Sequence, residues 1–349
     1  VTPRTPTPGQ DQSEVFRGES PQPKGSPSAK GSEKGIVRRS VPAFVAGEEL
    51  ADLAEHDERI VVLTADLASA NRLNDFAQRH PDRFFNVGIA EKNMISAAAG
   101  MASTGLMPFV GTFASFASLL GYEQIRTDCA YPGMPVRILA HHSGISLGYY
   151  GSSHHALEDL AAMRVVADLT VACATDANQL RAMLRASLDL SGPLYLRLGR
   201  GRDPEVYADV PSNFRFGVAA RLRDGAHATI IATGSEVHPA LEAAEILAKQ
   251  GIDVGVIDMA TIKPLDLEAV REAGEGGVIV TVEEHSIIGG LGGAIAEALA
   301  DMRIPAMLKR HGIHDEYVEI GPPAGLYAHY RLDSSGIANV VREFLDELA

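Results

Sequence analysis

The chain is short of cysteine, of long apolar runs and of positive charge, and each shortage excludes something. Its two cysteines, Cys129 and Cys173, lie at no metal-ligand spacing and read as small core residues of a reducing compartment. No apolar stretch is long enough to cross a bilayer, so no membrane contact is expected. The 31 Lys and Arg residues face 45 Asp and Glu, a net charge of −14 with no basic stripe to offset it. Nucleic acid is thereby excluded as an expected partner, because phosphate contacts need clustered Lys and Arg. Nucleotide-loop signatures are missing as well. Thr233-Gly234-Ser235 and Gly289-Gly290-Leu291-Gly292-Gly293 do not form a GxGxxG opening a first strand–helix unit, and no GxxxxGK loop occurs. Both read as tight turns before helices.

What is present suits two ordinary domains. The 349 residues are 46% hydrophobic, enough for a core in each. Residues 1–36 are the exception, rich in Pro, Ser, Gly, Gln and charge and without an apolar core. They read as a disordered tail, neither signal peptide nor folded element, and the expected location is cytoplasmic.

From Val41 to Leu53 the apolar positions keep a helical period, with Ser40 as N-cap and Pro42 in the first turn. Ile60-Val61-Val62-Leu63 is then a short β-branched run flanked by helical patterns, as in a buried parallel strand. Further strands are predicted at 109–111, 136–139, 170–173 and 194–197, with a helix over 177–189. At 204–216 the apolar rhythm stops, which sets a linker between a first domain, 37–203, and a second, 217–349. The second repeats the alternation, with strands at 228–232, 253–257 and 277–282 and helices at 236–250, 293–300 and 337–348. Alternating strands and helices predict an α/β fold of two domains, each a mostly parallel sheet covered by helices.

In such sheets ligands gather beyond the carboxyl ends of strands. Asp66, just past the first strand, is a candidate on that ground, with a helix cap or turn residue as the alternative. Glu91 stands at the mouth of a segment of small residues, GIAEKNMISAAAG. There a carboxylate sits where a proton-sharing hydrogen bond is strong, or it simply favours a helix N-terminus. Phe113 and Phe116 follow. Four of the twelve histidines fall in HHSGISLGYYGSSHH, between His141 and His155. That loop follows a predicted strand, so the histidines suit either proton handling and polar substrate contacts or ordinary structural duty. A zinc site is disfavoured, since no cysteine is at ligand spacing and adjacent histidines point apart.

Taken in order, GIAEKN, GTFASF, HHSG…GSSHHALED, LRLGRGRDPEVY, IATGSEV, TIKPLD and VEEHSIIGGLGG resemble the motifs of transketolases. The resemblance runs from about Val37 to Ala349 and covers only the family's second half, the pyrimidine-binding and C-terminal domains. The diphosphate-binding domain with its GDG…N metal signature has no counterpart in this sequence. The resemblance implies thiamine diphosphate as cofactor, with Glu91 bonded to a ring nitrogen of the aminopyrimidine and Phe113 and Phe116 around that ring. A third aromatic is usual one helical step on, where this chain has Leu119. Asp66 matches the aspartate of the family's ADL turn near the cofactor. His142 and His154 match channel histidines that bind sugar hydroxyls and assist proton transfer. Arg200 matches a sugar-phosphate arginine and Arg39 (or Arg38) a second, a role that suits the two parallel donors of guanidinium.

The clearest departure is in the histidine loop. Transketolases read GEDGPTH where this chain reads GYYGSSH, so Tyr149 and Tyr150 replace two acids. Phenols are bulkier and donate as well as accept, which alters the channel and the sugars it admits. The function implied is transfer of a two-carbon ketol unit from a ketose (phosphate) to an aldehyde, by one subunit of a split enzyme. A partner chain would supply the diphosphate-binding domain and the Mg²⁺ ligands, in a heterotetramer; no metal ligand is assigned to this chain. The alternatives are a 2-oxoacid-decarboxylating or synthase-type thiamine enzyme subunit, and a non-catalytic half that only binds a partner. No catalytic residue is assigned to the C-terminal domain, and His285 is read as a structural loop residue.

Overall fold

The computed structural model describes residues 42–200 and 204–349. Two sheets organise them. The first has seven strands in the order β10-β5-β6-β4-β3-β1-β2, the second five in the order β12-β11-β8-β9-β7. In chain order the strands are β1 (Ile60–Thr64), β2 (Phe84–Asn86), β3 (Met107–Phe113), β4 (Arg137–His141), β5 (Thr170–Cys173), β6 (Leu194–Arg197), β7 (Ala220–Arg223), β8 (Ala228–Ala232), β9 (Val254–Asp258), β10 (Thr261–Lys263), β11 (Val278–Ser286) and β12 (Met307–Ile313). The helices of the first half are α1 (Pro42–Ala54), α2 (Asn74–Arg79), α3 (Glu91–Ser103), the short α4 (Tyr122–Gln124), α5 (Asp159–Arg164) and α6 (Ala177–Ser187). Those of the second are α7 (Val237–Ala248), α8 (Leu267–Glu275), α9 (Leu291–Met302), α10 (Pro323–His329) and α11 (Ser334–Leu348).

Central strands read as continuous apolar runs because helices cover both of their faces. β1, β4, β8 and β9 are buried at every position. Each Ile, Val or Leu buried there stabilises the fold by roughly 1.5–3 kcal/mol. Helix starts are set by aspartates that accept a backbone N–H of the first turn: Asp176 from Gln179, Asp266 from Ala269 and Asp333 from Gly336. Cys129 and Cys173 are buried and free, and burial pushes both thiols up to about 12.

The parallel ladders fix where the chemistry can be. β1 pairs with β2 and β3, β3 with β4, and β4 with β6, all parallel. The register sets Phe113 of β3 opposite His141 of β4, and Thr64 of β1 opposite Asn86 of β2. The segments leaving all these strands therefore emerge along one edge of the first sheet. Two strands run against the rest: β7 pairs antiparallel with β9, and β10 with β5. β10 comes from the second half of the chain yet completes the sheet of the first. The same sharing continues in the core, where Val171 and Cys173 lie in one apolar cluster with Ile231, Ile257, Met259 and Ile262.

Candidate functional site

β3 delivers Phe113 at its last position, and the chain then turns into helical segments over Phe116–Leu120 and Ile125–Ala130. Their turns are wide: Gly121 N–H bonds Phe116 O and Tyr131 N–H bonds Arg126 O, five residues back in each case. Such widened turns recur near functional sites because they re-aim side chains that a regular helix would bury. Phe116 comes to rest beside Phe113, with ring centroids 5.6 Å apart.

β4 delivers the histidines. His142 follows its last residue and adopts a left-handed backbone, φ 57°. Its ring lies 4.5 Å from that of Phe113. His154, at the far side of the same loop, lies 5.9 Å from Phe113, 5.2 Å from Phe116 and 5.0 Å from Tyr150. Five residues predicted from sequence thus form one aromatic cluster: Phe113, Phe116, His142, His154 and Tyr150. Tyr150 is its exposed member, at 59% accessibility, and Tyr149 beside it is similarly exposed.

The cluster holds its imidazoles neutral. Burial lowers His142 to about 4, helped by Arg200, Arg72 and His154. Burial also lowers His154. His141 is fully buried and lowered to about 3, by burial and then by His142. Nδ1 of His142 is buried with no hydrogen-bond partner from the protein, and so are both ring nitrogens of His141. At neutral pH such a ring can accept one proton and donate another, which an imidazolium cannot.

The other predicted residues occupy the same edge. Asp66 follows β1 in a left-handed conformation, φ 61°, with its N–H on Asn86 Oδ1 (3.0 Å) and its carboxylate accepting from Asn86 Nδ2 (3.3 Å). Asn86 also takes the Gly88 N–H at 3.1 Å, and so fastens the ends of β1 and β2 together. No helix begins at Asp66, so of its two structural readings it is the turn residue rather than the cap. Glu91 is the first residue of α3 and only 7% exposed. Its carboxylate is thus buried at a helix N-terminus.

Arg200 follows β6 and helps line a cavity of about 420 Å³ with Ser146, Tyr149, Ser235, Glu284 and Tyr327. Leu119 is 53% exposed on the widened helix and carries its side chain into the open. Arg39 and Arg38 lie outside the described residues, as do Ser40 and the 1–36 tail. Among the described residues no group of three or more His, Cys, Asp or Glu could hold a metal ion, and no helix is long and apolar enough to cross a membrane.

Sequence reasoning passed over what stands beneath this edge. Asp159 and Arg197 form a buried ion pair, Nε to Oδ2 2.8 Å, and Tyr195 Oη donates to the same oxygen at 3.0 Å. Glu283, Glu284 and His285 of β11 are buried beside them. His285 is therefore a strand residue and not a loop residue: Nδ1 bonds Ser286 O at 2.7 Å, Nε2 faces Asp159 at 3.8 Å, and burial lowers it to about 4. Two adjacent acids closing an otherwise apolar strand were the signal available. Neighbours in a strand face opposite ways, so both could be buried only if each met its own donors.

Comparison with known proteins identifies both halves of the chain. Residues 43–204 match the model of the transketolase pyrimidine-binding domain, and residues 217–337 that of the transketolase C-terminal domain. A protein of Methanocaldococcus jannaschii named as a transketolase C-terminal section is 42% identical, over 85% of this chain and 94% of its own length. One subunit of an apulose-4-phosphate transketolase from Phocaeicola vulgatus is 38% identical, over 85% of this chain and 95% of that one. Among solved structures, a split-gene transketolase described as an inactive β4 tetramer superposes with a TM-score of 0.77 at 40% identity, covering 86% of this chain and 96% of the other. The chain belongs to the transketolase family, as a counterpart of its split subunits.

Proposed function

We propose that the chain is the pyrimidine-binding subunit of a split, thiamine-diphosphate-dependent transferase that moves a two-carbon ketol unit from a ketose phosphate to an aldehyde. The observation that carries this reading is the convergence of Asp66, Glu91, Phe113, Phe116, His142, His154 and Arg200 on the carboxyl edge of one parallel sheet. Those residues fit an aminopyrimidine: an adjoining pair of phenylalanine rings to pack against it, and a buried carboxylate, Glu91, for a ring nitrogen. When bound, thiamine diphosphate supplies the nucleophilic carbon that the chain itself lacks. Asp66 would hold the cofactor's approach from the β1 turn.

The remaining steps belong to side chains of this chain. Neutral His142 and His154 orient sugar hydroxyls and pass protons to and from them, because burial keeps both rings unprotonated at neutral pH. Arg200, with Arg39 beyond the described residues, holds the phosphate through paired charge-assisted hydrogen bonds. Tyr150 takes the place where relatives of the GEDGPTH type carry an acid. It would select sugars by shape and by a donating hydroxyl. Leu119 leaves the pyrimidine pocket one ring short, so stacking falls to Phe113 and Phe116.

A partner chain is needed for the diphosphate and its Mg²⁺. Ile89, Leu119 and Leu120 are exposed apolar side chains on the segments that also carry Glu91 and Phe116, which suits a face covered in an assembly. The split-gene relative solved without activity as a β4 tetramer accords with a subunit that depends on another. The complete enzyme is expected as a cytoplasmic heterotetramer of two chains of each kind.

The test is to co-express the chain with a GDG-bearing partner and measure thiamine-dependent ketol transfer from a ketose phosphate, wild type against Glu91→Ala. Activity that needs both chains and collapses without Glu91 supports the reading. Native-affinity cofactor binding and turnover by the single chain would remove the split. Carbon dioxide release from pyruvate without ketose cleavage would replace the transferase by a synthase.

A further inference from the structure

The loop from His142 to Ala156 carries two of the site's imidazoles and is held under strain. His142 at φ 57° costs on the order of 1–2 kcal/mol, and such a conformation persists only where the surroundings over-determine it. Part of the restraint is internal to the first half. Ser143 N–H bonds Leu198 O at 3.1 Å, and Gly144 and Ala156 exchange hydrogen bonds of 3.2 and 3.0 Å that close the loop at its neck.

More restraint comes from the second half of the chain, where Gly321 N–H bonds Gly148 O at 3.1 Å and one side chain makes several contacts. Glu284 of β11 is 1% exposed. Its Oε1 accepts the Ile145 N–H at 2.7 Å and the Tyr327 hydroxyl at 2.6 Å, and its Oε2 accepts Ser235 Oγ at 2.8 Å. Gly144 leaves room for this carboxylate: a Cβ there would lie 2.1 Å from the Glu284 carboxyl carbon, and its φ of 59° also favours glycine. The Glu284 backbone carbonyl accepts Arg197 Nη2 at 2.8 Å, while the same nitrogen reaches Ala156 O at 3.0 Å. Ser286 N–H bonds Leu157 O at 3.0 Å. Both sides of the loop are thus tied to β11, one through the Glu284 carboxylate and the other through Arg197.

We infer that Glu284 is a positioning residue for the site, the side chain through which the C-terminal half helps to fix where His142 and His154 stand. This goes beyond the proposed function by giving the C-terminal domain a part in it, and rests on that reading only for what the histidines do. Glu284 touches no reacting atom in the scheme. Three donors on one buried carboxylate are worth more than the same bonds at a surface, and their loss frees the segment that holds the strained residue.

The test compares Glu284→Ala and Glu284→Gln with wild type, first on the purified chain. Hydrogen exchange of residues 143–157 is expected to quicken at least about tenfold in the alanine variant, with α6 and α7 unchanged. The His142 titration followed by NMR moves up from about 4 toward the solvent value as the ring gains water. Glutamine keeps one accepting oxygen for Ile145, so it should restore protection and lose no more than about fivefold in turnover. In the two-subunit enzyme, Glu284→Ala should lower kcat about 100-fold, since small misplacement of catalytic groups costs that much, with donor KM little changed.

Exchange that stays unchanged in Glu284→Ala, or quickens uniformly across the chain, overturns the inference. If the alanine variant does not fold, Gly144→Ala approaches the same contact from the loop side. It must also loosen 143–157 selectively, or the inference fails. A wild-type pair without thiamine-dependent turnover overturns the proposed function instead, and the exchange and titration data then decide the positioning role by themselves.

Discussion

The aromatic cleft and the ionic hub below it lie close together in the fold and solve opposite problems. In the cleft, Phe113, Phe116, His142, His154 and Tyr150 meet ring to ring, and the buried Nδ1 of His142 has no protein partner. In the hub, Arg197, Asp159, Tyr195 and Glu284 meet through directed hydrogen bonds of 2.8–3.0 Å. Polar groups beside apolar rings leave a surface ready for a ligand, whereas charges paired through directed hydrogen bonds resist rearrangement, even with Asp159 Oδ1 left without a hydrogen-bond partner. The division of labour follows: change in the cleft should alter chemistry at nearly constant stability, and change in the Arg197–Asp159 pair should alter stability first.

The largest effect expected tests the chemical side. Glu91→Ala should lower thiamine-dependent turnover by about 10³-fold, as loss of a proton-handling group does, while circular dichroism and the melting temperature stay near wild type. A melting temperature that falls with activity would place Glu91 on the structural side and blur the contrast. The hub gives the next largest. Asp159→Ala leaves the Arg197 guanidinium buried without its carboxylate, which should cost about 3–5 kcal/mol in denaturant unfolding. A loss under 1 kcal/mol would mean that water reaches the hub. Below these stands His154→Ala, a cleft residue near the rim. Steady-state kinetics should show a fall of about 10²-fold in kcat/KM with an unfolding midpoint close to wild type.

The pH dependence of stability separates imidazoles from carboxyls, because burial shifts the two in opposite directions. His141, His142 and His285 sit at about 3, 4 and 4, below the ordinary 6.5. The unfolded chain then binds more protons between about pH 4 and 6.5, so this contribution is full above 6.5 and is lost as pH falls. Glu283 is raised by burial to about 7 from 4.5. Its contribution runs the other way, present at low pH and lost as pH rises from about 4.5 to 7. Glu283→Gln should therefore make stability rise more steeply with pH across that window, whatever constant offset the substitution brings. Urea midpoints at pH 5, 6 and 7 would show it, and an unchanged slope would mean that Glu283 titrates normally. The smallest effect expected is at Phe116→Leu, which keeps apolar bulk but removes the ring. Cofactor affinity in the assembled enzyme should weaken by about 1 kcal/mol in titration calorimetry.

Much of this was legible in the amino-acid order, and what was missed has a common cause. Every strand predicted from sequence is present, while the four passed over, β2, β7, β10 and β12, are the edge strands of the two sheets. An edge strand has one ladder neighbour and fewer covering helices, so it needs no continuous apolar run. β2 is three residues long, and β12 reads MLKRHGI with charges through its middle. Central strands such as IVVLT announce themselves because both faces are buried. The site followed the same logic. Histidines and phenylalanines after predicted strands stood out, since strand ends in one parallel sheet must share an edge. Glu284 and Arg197 did not, because their partners lie 139 and 38 residues away in sequence, at Ile145 and Asp159. Only the folded chain reveals such pairs, within the first half for Arg197 and Asp159 and between the halves for Glu284 and Ile145.

The strand that crosses between the halves sets a limit on how the chain can be divided. β10 seals the outer side of β5 with residues that come about ninety positions later. A gene cut at the turn between the two domains, near residue 216, would deliver a first half whose β5 ends in bare amides and carbonyls. Such an edge invites pairing with other copies, so the fragment should precipitate where the intact chain does not. The two halves match separate sequence patterns but share one sheet.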